Sequence, residues 1–234
     1  MTRLTLLLLI LAPIGLYSQE VKSIDLTNII QRTELRFPPD PRQNDETGFG
    51  GGYGGVMVGD GASDFRDPHA LGIYLESVSP HEIDPKQPFE AEFKVLNTGL
   101  APIQVPVSPH LSDLQPLDES LEFEYLSIVL HLTLMNADPN GPQIRSGGNL
   151  ELYGTTDHEG TILVLKPGEW IRVKANMKLH QWPLQPASVR MGASFSIRWI
   201  TYTPHPGGSF EKIDNLYPNQ TPTGWSEPVD LIRS

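Results

Sequence analysis

Three segments of the sequence, residues 89–96, 171–179 and 189–199, alternate apolar and polar side chains with a period of two. Because successive side chains of a β-strand point to opposite faces, this alternation predicts strands with one buried and one solvated face, as in antiparallel sheets. The predicted inward residues are Phe89, Ala91, Phe93 and Val95; Ile171, Val173, Ala175, Met177 and Leu179; and Val189, Met191, Ala193, Phe195, Ile197 and Trp199. The sequence therefore predicts an all-β protein, an antiparallel β-sandwich.

The first residues have the pattern of a secretory signal peptide. Arg3 precedes a run from Leu4 to Leu11 that is apolar except for Thr5, and the polar residues Ser18 and Gln19 follow. The run is too short to span a bilayer comfortably. We predict a signal peptide over residues 1–18, cleaved after Ser18, with no stable membrane insertion afterwards; an uncleaved anchor is the alternative.

Cysteine usage and charge indicate the compartment and limit the partners. The chain has no cysteine and a formal net charge of −11. Extracellular sandwiches of animals commonly carry an inter-sheet disulfide, so its absence favours a bacterial protein that is secreted or periplasmic. The negative charge disfavours binding to nucleic acid or anionic lipid, and we predict no nucleic-acid partner.

Residues 19–70 differ in composition from the rest of the chain. Pro38, Pro39 and Pro41 precede a stretch, residues 48–61, in which eight of fourteen residues are glycine. Glycine loses much backbone entropy on ordering and has no side chain to bury, so we predict a flexible Pro/Gly-rich arm or linker. The folded domain is predicted over residues 71–234.

The arm also contains a small apolar cluster, whose members are Ile24, Leu26, Ile29, Ile30, Leu35 and Phe37. Three interpretations stay open for it. The segment could add itself to a sheet edge of another molecule, lie on its own domain, or be disordered.

Local patterns predict turns and irregularities in the domain. Inward parity changes at Tyr125, which predicts a β-bulge or a short turn. Residues 97–99 predict a turn with positive φ at Asn97 or Gly99, and residues 166–169 predict a type II turn. Prolines within residues 102–109 predict an edge strand. Beyond Tyr202 the pattern indicates loop until a closing strand at Val229 and Leu231.

Two segments resemble a known class of module. The runs PFEAEFKVLNTGLAPIQVP and ILVLKPGEWIRVKANMKL are similar to bacterial secreted immunoglobulin-like or fibronectin-III-like β-sandwiches, in which an Asn-Thr-Gly turn and a later L-x-P-G-E turn are often seen. The resemblance covers residues 71 to 200. It implies an immunoglobulin-like β-sandwich that acts in adhesion, scaffolding or ligand presentation.

The search for catalytic or metal-binding motifs gives little. The seven histidines form no zinc motif, and no recognised nucleophile elbow or phosphate loop occurs. We therefore predict no catalytic residues, no metal site and no cofactor. The enzyme alternative is a hydrolase whose site is assembled across loops from Asp157, His158 and His205.

Four aromatic residues lie in or beside segments that are rich in proline and glycine: Trp182, Tyr202, Tyr217 and Trp225. Exposed tryptophan and tyrosine can stack on sugar rings or anchor a protein partner, so these are the predicted ligand-binding residues. The predicted function is a secreted, non-enzymatic binding or scaffolding module with a protein or glycan partner. A carbohydrate-binding or protease-inhibitor-like module is the variant.

Overall fold

The computed structural model describes residues 18–32, 35, 71–118, 121–141, 147–180, 187–205, 208–217 and 223–232. Residues 1–17 of the predicted signal peptide, the glycine-rich stretch and Trp182 lie outside these residues. The described strands are β1 (Gln19–Asp25), β2 (Leu71–Ser79), β3 (Glu82–Ile83), β4 (Phe89–Asn97), β5 (Ile103–Pro106), β6 (Phe123–Asn136), β7 (Gly147–Gly154), β8 (Ile162–Leu165), β9 (Glu169–Met177), β10 (Ala187–His205), β11 (Gly208–Tyr217), β12 (Thr223–Trp225) and β13 (Val229–Leu231). A single 3-10 turn, Leu111–Asp113, is the described helical element.

The strands form two main sheets. The first has four strands in the order β1-β9-β4-β2, and the second has seven, with β3-β13-β10-β6-β7 as its path and β11 and β12 also paired to β10. The pairs β1/β9 and β13/β3 are parallel and the other described pairs are antiparallel. The proline-containing β5 pairs with β8 in a separate two-stranded sheet, as predicted for an edge strand. No helix among these described residues is long and apolar enough to cross a membrane.

One hydrophobic core joins the two main sheets, and the all-β prediction is confirmed. The inward residues predicted from the three alternating segments are buried in this core, with Trp199 partly buried at its margin. Inward residues of β4 and β9 share the core with Ile128, Leu130, Leu132 and Leu134 of β6. Burial of alternate side chains from both sheets is the packing of a β-sandwich.

The first described strand, β1, joins the first sheet through parallel pairing with β9. Most of its side chains are exposed, but Ile24 is buried, and so are Leu26 and Leu35 beyond the strand. The backbone N–H of Leu26 donates to the carbonyl of Lys174 at 2.7 Å. In this structure Ile24, Leu26 and Leu35 of the arm's apolar cluster therefore pack on the chain's own domain, whereas Ile29 and Ile30 are exposed.

The parity change at Tyr125 has a different cause from the one predicted. β6 is continuous, and its register with β7 and β10 has no bulge near Tyr125, so that prediction is wrong. Instead, both faces of the strand are covered. A second cluster occupies the outer face of the seven-stranded sheet, and its members are Leu35, Leu111, Leu114, Phe123, Tyr125, Tyr153, Ile200 and Tyr202.

The predicted loop after Tyr202 is also wrong. β10 continues to His205, β11 returns along it, and β12 pairs farther down the same strand. The sequence of β11, GSFEKIDNLY, lacks a clean alternation of apolar and polar residues, so the period-two pattern did not predict this strand. The closing strand at Val229 and Leu231 is confirmed as β13.

Two predicted turns have different outcomes. Gly168 has a φ of 81°, and Glu169 N–H donates to the carbonyl of Lys166 at 2.9 Å, so the type II turn is confirmed. Neither Asn97 nor Gly99 has a positive φ. The buried Asn97 instead directs its turn through side-chain hydrogen bonds to the carbonyls of Ala101 and Leu165, at 2.8 Å and 2.9 Å.

Candidate functional site

The predicted ligand-binding aromatics do not form one described cluster. Tyr202 is 2% exposed and packs 5.2 Å from Phe123 between ring centroids, so the structure places it in the second hydrophobic cluster rather than beside a loop. Tyr217 and Trp225 lie in strands, opposite Ile197 and Gly192 of β10. These positions of β10 are five residues apart, about 17 Å along the strand, and only the backbone of Tyr217 and Trp225 is described.

The loop residues of the enzyme alternative occupy a hydrogen-bonded turn. Between β7 and β8, the Thr161 hydroxyl donates to the carbonyl of His158 at 2.7 Å, and Asp157 N–H donates to the Thr155 hydroxyl at 3.4 Å. His205 is the last residue of β10, and its backbone pairs with Gly208. These contacts stabilise the turn between β7 and β8 and the pairing of β10 with β11.

A different set of residues lies on the outer face of the four-stranded sheet. Leu96 of β4 is in register with Trp170 of β9, and the next outward pair along these strands is Lys94 with Arg172. The Lys94 ammonium lies 4.7 Å and the Arg172 guanidinium 5.5 Å from the Trp170 ring centroid. Such cation–π contacts fix the ring on the sheet surface.

Tyr74 of β2 completes this surface. It lies in register with Lys94, and a Cβ added to Gly72 would lie 2.9 Å from the Tyr74 ring. Since Gly72 pairs with Leu96, the ring lies over the glycine and beside Leu96. We call the set Tyr74, Lys94, Leu96, Trp170 and Arg172 the Trp170 face. Leu100, which is 93% exposed, lies in the loop at the same end of β4.

Ion pairs order the charged side chains next to the Trp170 face. Arg172 pairs with Glu20 at 2.9 Å and with Glu92 at 3.2 Å, and Lys174 pairs with Glu90 at 2.9 Å. The hydrogen bond to Glu90 raises the pKa of Lys174. Exposed pairs of this kind add little stability, so their main effect is to hold the side chains in one arrangement.

The outer face of the seven-stranded sheet carries polar residues beyond its hydrophobic cluster. Glu151 accepts hydrogen bonds from the hydroxyl of the buried Ser127 and from Arg198, through the same carboxylate oxygen. Arg198 therefore reaches across β6 to β7. Its Nε is buried and has no hydrogen-bond partner among the described residues.

Next to this network, three side chains on adjacent strands form a hydrogen-bonded chain. Asn149 Oδ1 lies 2.9 Å from His131 Nδ1, and Ser196 Oγ lies 3.0 Å from His131 Nε2. We call Ser196, His131 and Asn149 the serine–histidine row. The sequence did not predict this row because its three residues come together only through the register of β7, β6 and β10. The one indication in the sequence was that Ser196 occupies an outward position of its alternating segment.

The described residues contain no group of histidine, aspartate and glutamate side chains that could hold a metal ion. Comparisons of the sequence with protein-family models and with curated proteins, and of the fold with solved structures, find no match.

Proposed function

We propose that the protein is a secreted or periplasmic binding module of immunoglobulin-like type that binds a protein partner through the Trp170 face. The supporting observation is the half-buried Trp170 ring, which lies on the outer face of the four-stranded sheet in contact with Lys94 and Arg172 and in register with Leu96. Tryptophan, tyrosine and arginine are the side chains most enriched at interface hot spots, and this face carries one of each.

Preorganisation supports this assignment. Arg172 is held by Glu20 and Glu92, and its guanidinium contacts the Trp170 ring. A side chain that is already ordered loses less conformational entropy when a partner binds. The exposed Leu100 at the same end of the sheet adds apolar area that a partner can cover.

The test compares ligand retention by variants of the full-length protein. Wild type, Trp170→Ala and the control Lys178→Ala are immobilised and exposed to envelope and secreted fractions of the source organism, and to a glycan array. We expect a protein retained by wild type and Lys178→Ala but lost with Trp170→Ala. Lys178 is an exposed residue just beyond the end of β9, which makes it a matched control.

Two results would overturn the proposal. Retention that is equal in wild type and Trp170→Ala would remove the Trp170 face as the site. Binding to defined glycans that depends on Trp170 would keep the face but change the partner class to carbohydrate, with stacking on the aromatic ring as the mode of recognition.

A further inference from the structure

The serine–histidine row has the connectivity of a nucleophile, a base and an orienting group. His131 lies directly opposite Asn149 of β7 and opposite Ser194 of β10, and Ser196 is the next outward residue on β10. His131 and Ser196 are half-buried and Asn149 is exposed. The row is therefore held on adjacent strands of a sheet, a rigid support, and remains accessible from solvent.

The hydrogen bonds define the tautomer of His131. Because Asn149 Oδ1 can only accept, the proton of the neutral ring lies on Nδ1, 2.9 Å away. His131 Nε2 then presents its lone pair to Ser196 Oγ at 3.0 Å. In this arrangement the hydroxyl donates to the ring, and His131 can remove the hydroxyl proton when Ser196 attacks an electrophile.

A cation lies on the same face. Arg198 follows Ser196 by two residues, about 7 Å along the strand, and points to the same side of the sheet. Its guanidinium binds Glu151 through Nη2, while Nε–H has no partner among the residues described. This Nε–H is buried, so the Arg198–Glu151 pair borders the row without offering a donor to a substrate.

We propose that Ser196 is an activated nucleophile that accepts acyl groups from small carboxylic esters. Ser196 Oγ bonds to the ester carbonyl carbon while its proton passes to His131 Nε2. The bond to the leaving alkoxide then breaks, and that alkoxide takes the proton from His131. Water then attacks the acyl carbon and gives a proton to His131 Nε2; the bond from that carbon to Ser196 Oγ breaks, Oγ takes the proton back, and the carboxylic acid leaves. Because His131 and Ser196 are half-buried on a sheet face rather than enclosed in the core, we expect a small ester to reach Ser196 more readily than a bulky one.

The test is labelling of the full-length protein with a fluorophosphonate, which replaces its fluoride with Ser196 Oγ, followed by peptide mapping. A general base contributes about 100-fold or more to such steps, so we expect Ser196 to react about 100-fold faster than the exposed Ser188. His131→Ala should remove this advantage, and Asn140→Ala, at an exposed position beyond β6, should keep it. Hydrolysis of p-nitrophenyl acetate should follow the same order.

A folding defect is separated from loss of the base by chemical rescue. His131→Gly is labelled with and without added imidazole, and its thermal unfolding is compared with wild type. Restored labelling at Ser196 supports the proposal. The proposal is overturned if Ser196 of the wild type reacts no faster than Ser188, or if labelling is unchanged in His131→Ala. The proposed binding function would survive that outcome because Trp170 lies on the other sheet.

Discussion

Asp25 of β1 lies opposite Lys174 of β9 in the parallel register that attaches the first described strand to the sandwich. The Thr27 hydroxyl donates a hydrogen bond to the Asp25 carboxylate at 2.6 Å, and Asn176 donates to the carbonyl of Thr27 at 2.7 Å. These contacts continue the attachment past the end of the strand. The N-terminal segment is thus part of the sheet edge through both backbone and side-chain bonds.

The pairing of Asp25 with Lys174 predicts that an engineered disulfide can join these two positions. Neighbouring strands lie about 4.8 Å apart, within the range a disulfide can bridge, and the protein has no cysteine of its own. Oxidised Asp25→Cys/Lys174→Cys protein should form the bond within a monomer, as measured by intact mass and non-reducing electrophoresis. The control Asp25→Cys/Lys166→Cys should not, since Lys166 precedes the opposite end of β9. A crosslink found only between chains would indicate strand exchange instead.

The Asp25 carboxylate also predicts a response to acid. Its pKa is lowered first by the hydrogen bond from the Thr27 side chain and then by that from the Thr27 backbone. A carboxyl with a lowered folded-state pKa stabilises the fold above its unfolded pKa, and this contribution is lost as the pH falls below about 4. Asp25→Asn should therefore flatten the fall in Tm between about pH 5 and pH 2.5. Parallel curves for the variant and wild type would contradict this.

The second hydrophobic cluster predicts a sharp difference between two nearby leucines. Leu114 is 1% exposed in this cluster, whereas Leu117 is 90% exposed. Leu114→Ala should lower the free energy of unfolding by about 2 to 5 kcal/mol, the range for buried leucines. Leu117→Ala should change it by less than about 0.5 kcal/mol. Chemical denaturation measures both, and equal effects would mean that the cluster is not packed as described.

Replacing Asn97 should lower the free energy of unfolding, because its buried side chain makes several hydrogen bonds. Asn97 is 1% exposed, donates to two carbonyls, and accepts from Gly99 N–H at 2.9 Å. Asn97→Ala leaves the buried carbonyl of Leu165 without this donor and should cost about 2 to 3 kcal/mol. The exposed Asn140→Ala should be near neutral. Urea unfolding of both variants gives the comparison, and a neutral Asn97→Ala would contradict the assigned role.

The sequence was sufficient to predict the strands that bury one face in the main hydrophobic core. Strands β4 and β9 have one face against the second sheet and one solvated face, so their period-two pattern could be read directly. The Gly168 turn was predictable for a similar reason, because a positive φ after proline favours glycine. Each of these features depends on residues close together in the chain.

The errors came from contacts between distant residues. Tyr125 was assigned to a bulge because it is buried in a second hydrophobic cluster, and members of that cluster such as Leu35 and Tyr153 are distant in the sequence. β11 is the exception, because it pairs with β10 in a hairpin that is local in the chain; it was missed because its sequence lacks a period-two pattern. The serine–histidine row requires His131 and Ser196, far apart in sequence, to become diagonal neighbours across two strands.

The most direct test of the central claim is hydroxyl-radical footprinting of the protein with and without the partner it retains. Oxidation of exposed aromatic rings reports which side chains a partner covers. Our account predicts that binding protects Trp170 and Tyr74 while Trp182, Tyr217 and Trp225 keep their reactivity. Protection of Trp182, Tyr217 or Trp225 with Trp170 unchanged would contradict it and would place binding at the residues predicted from sequence.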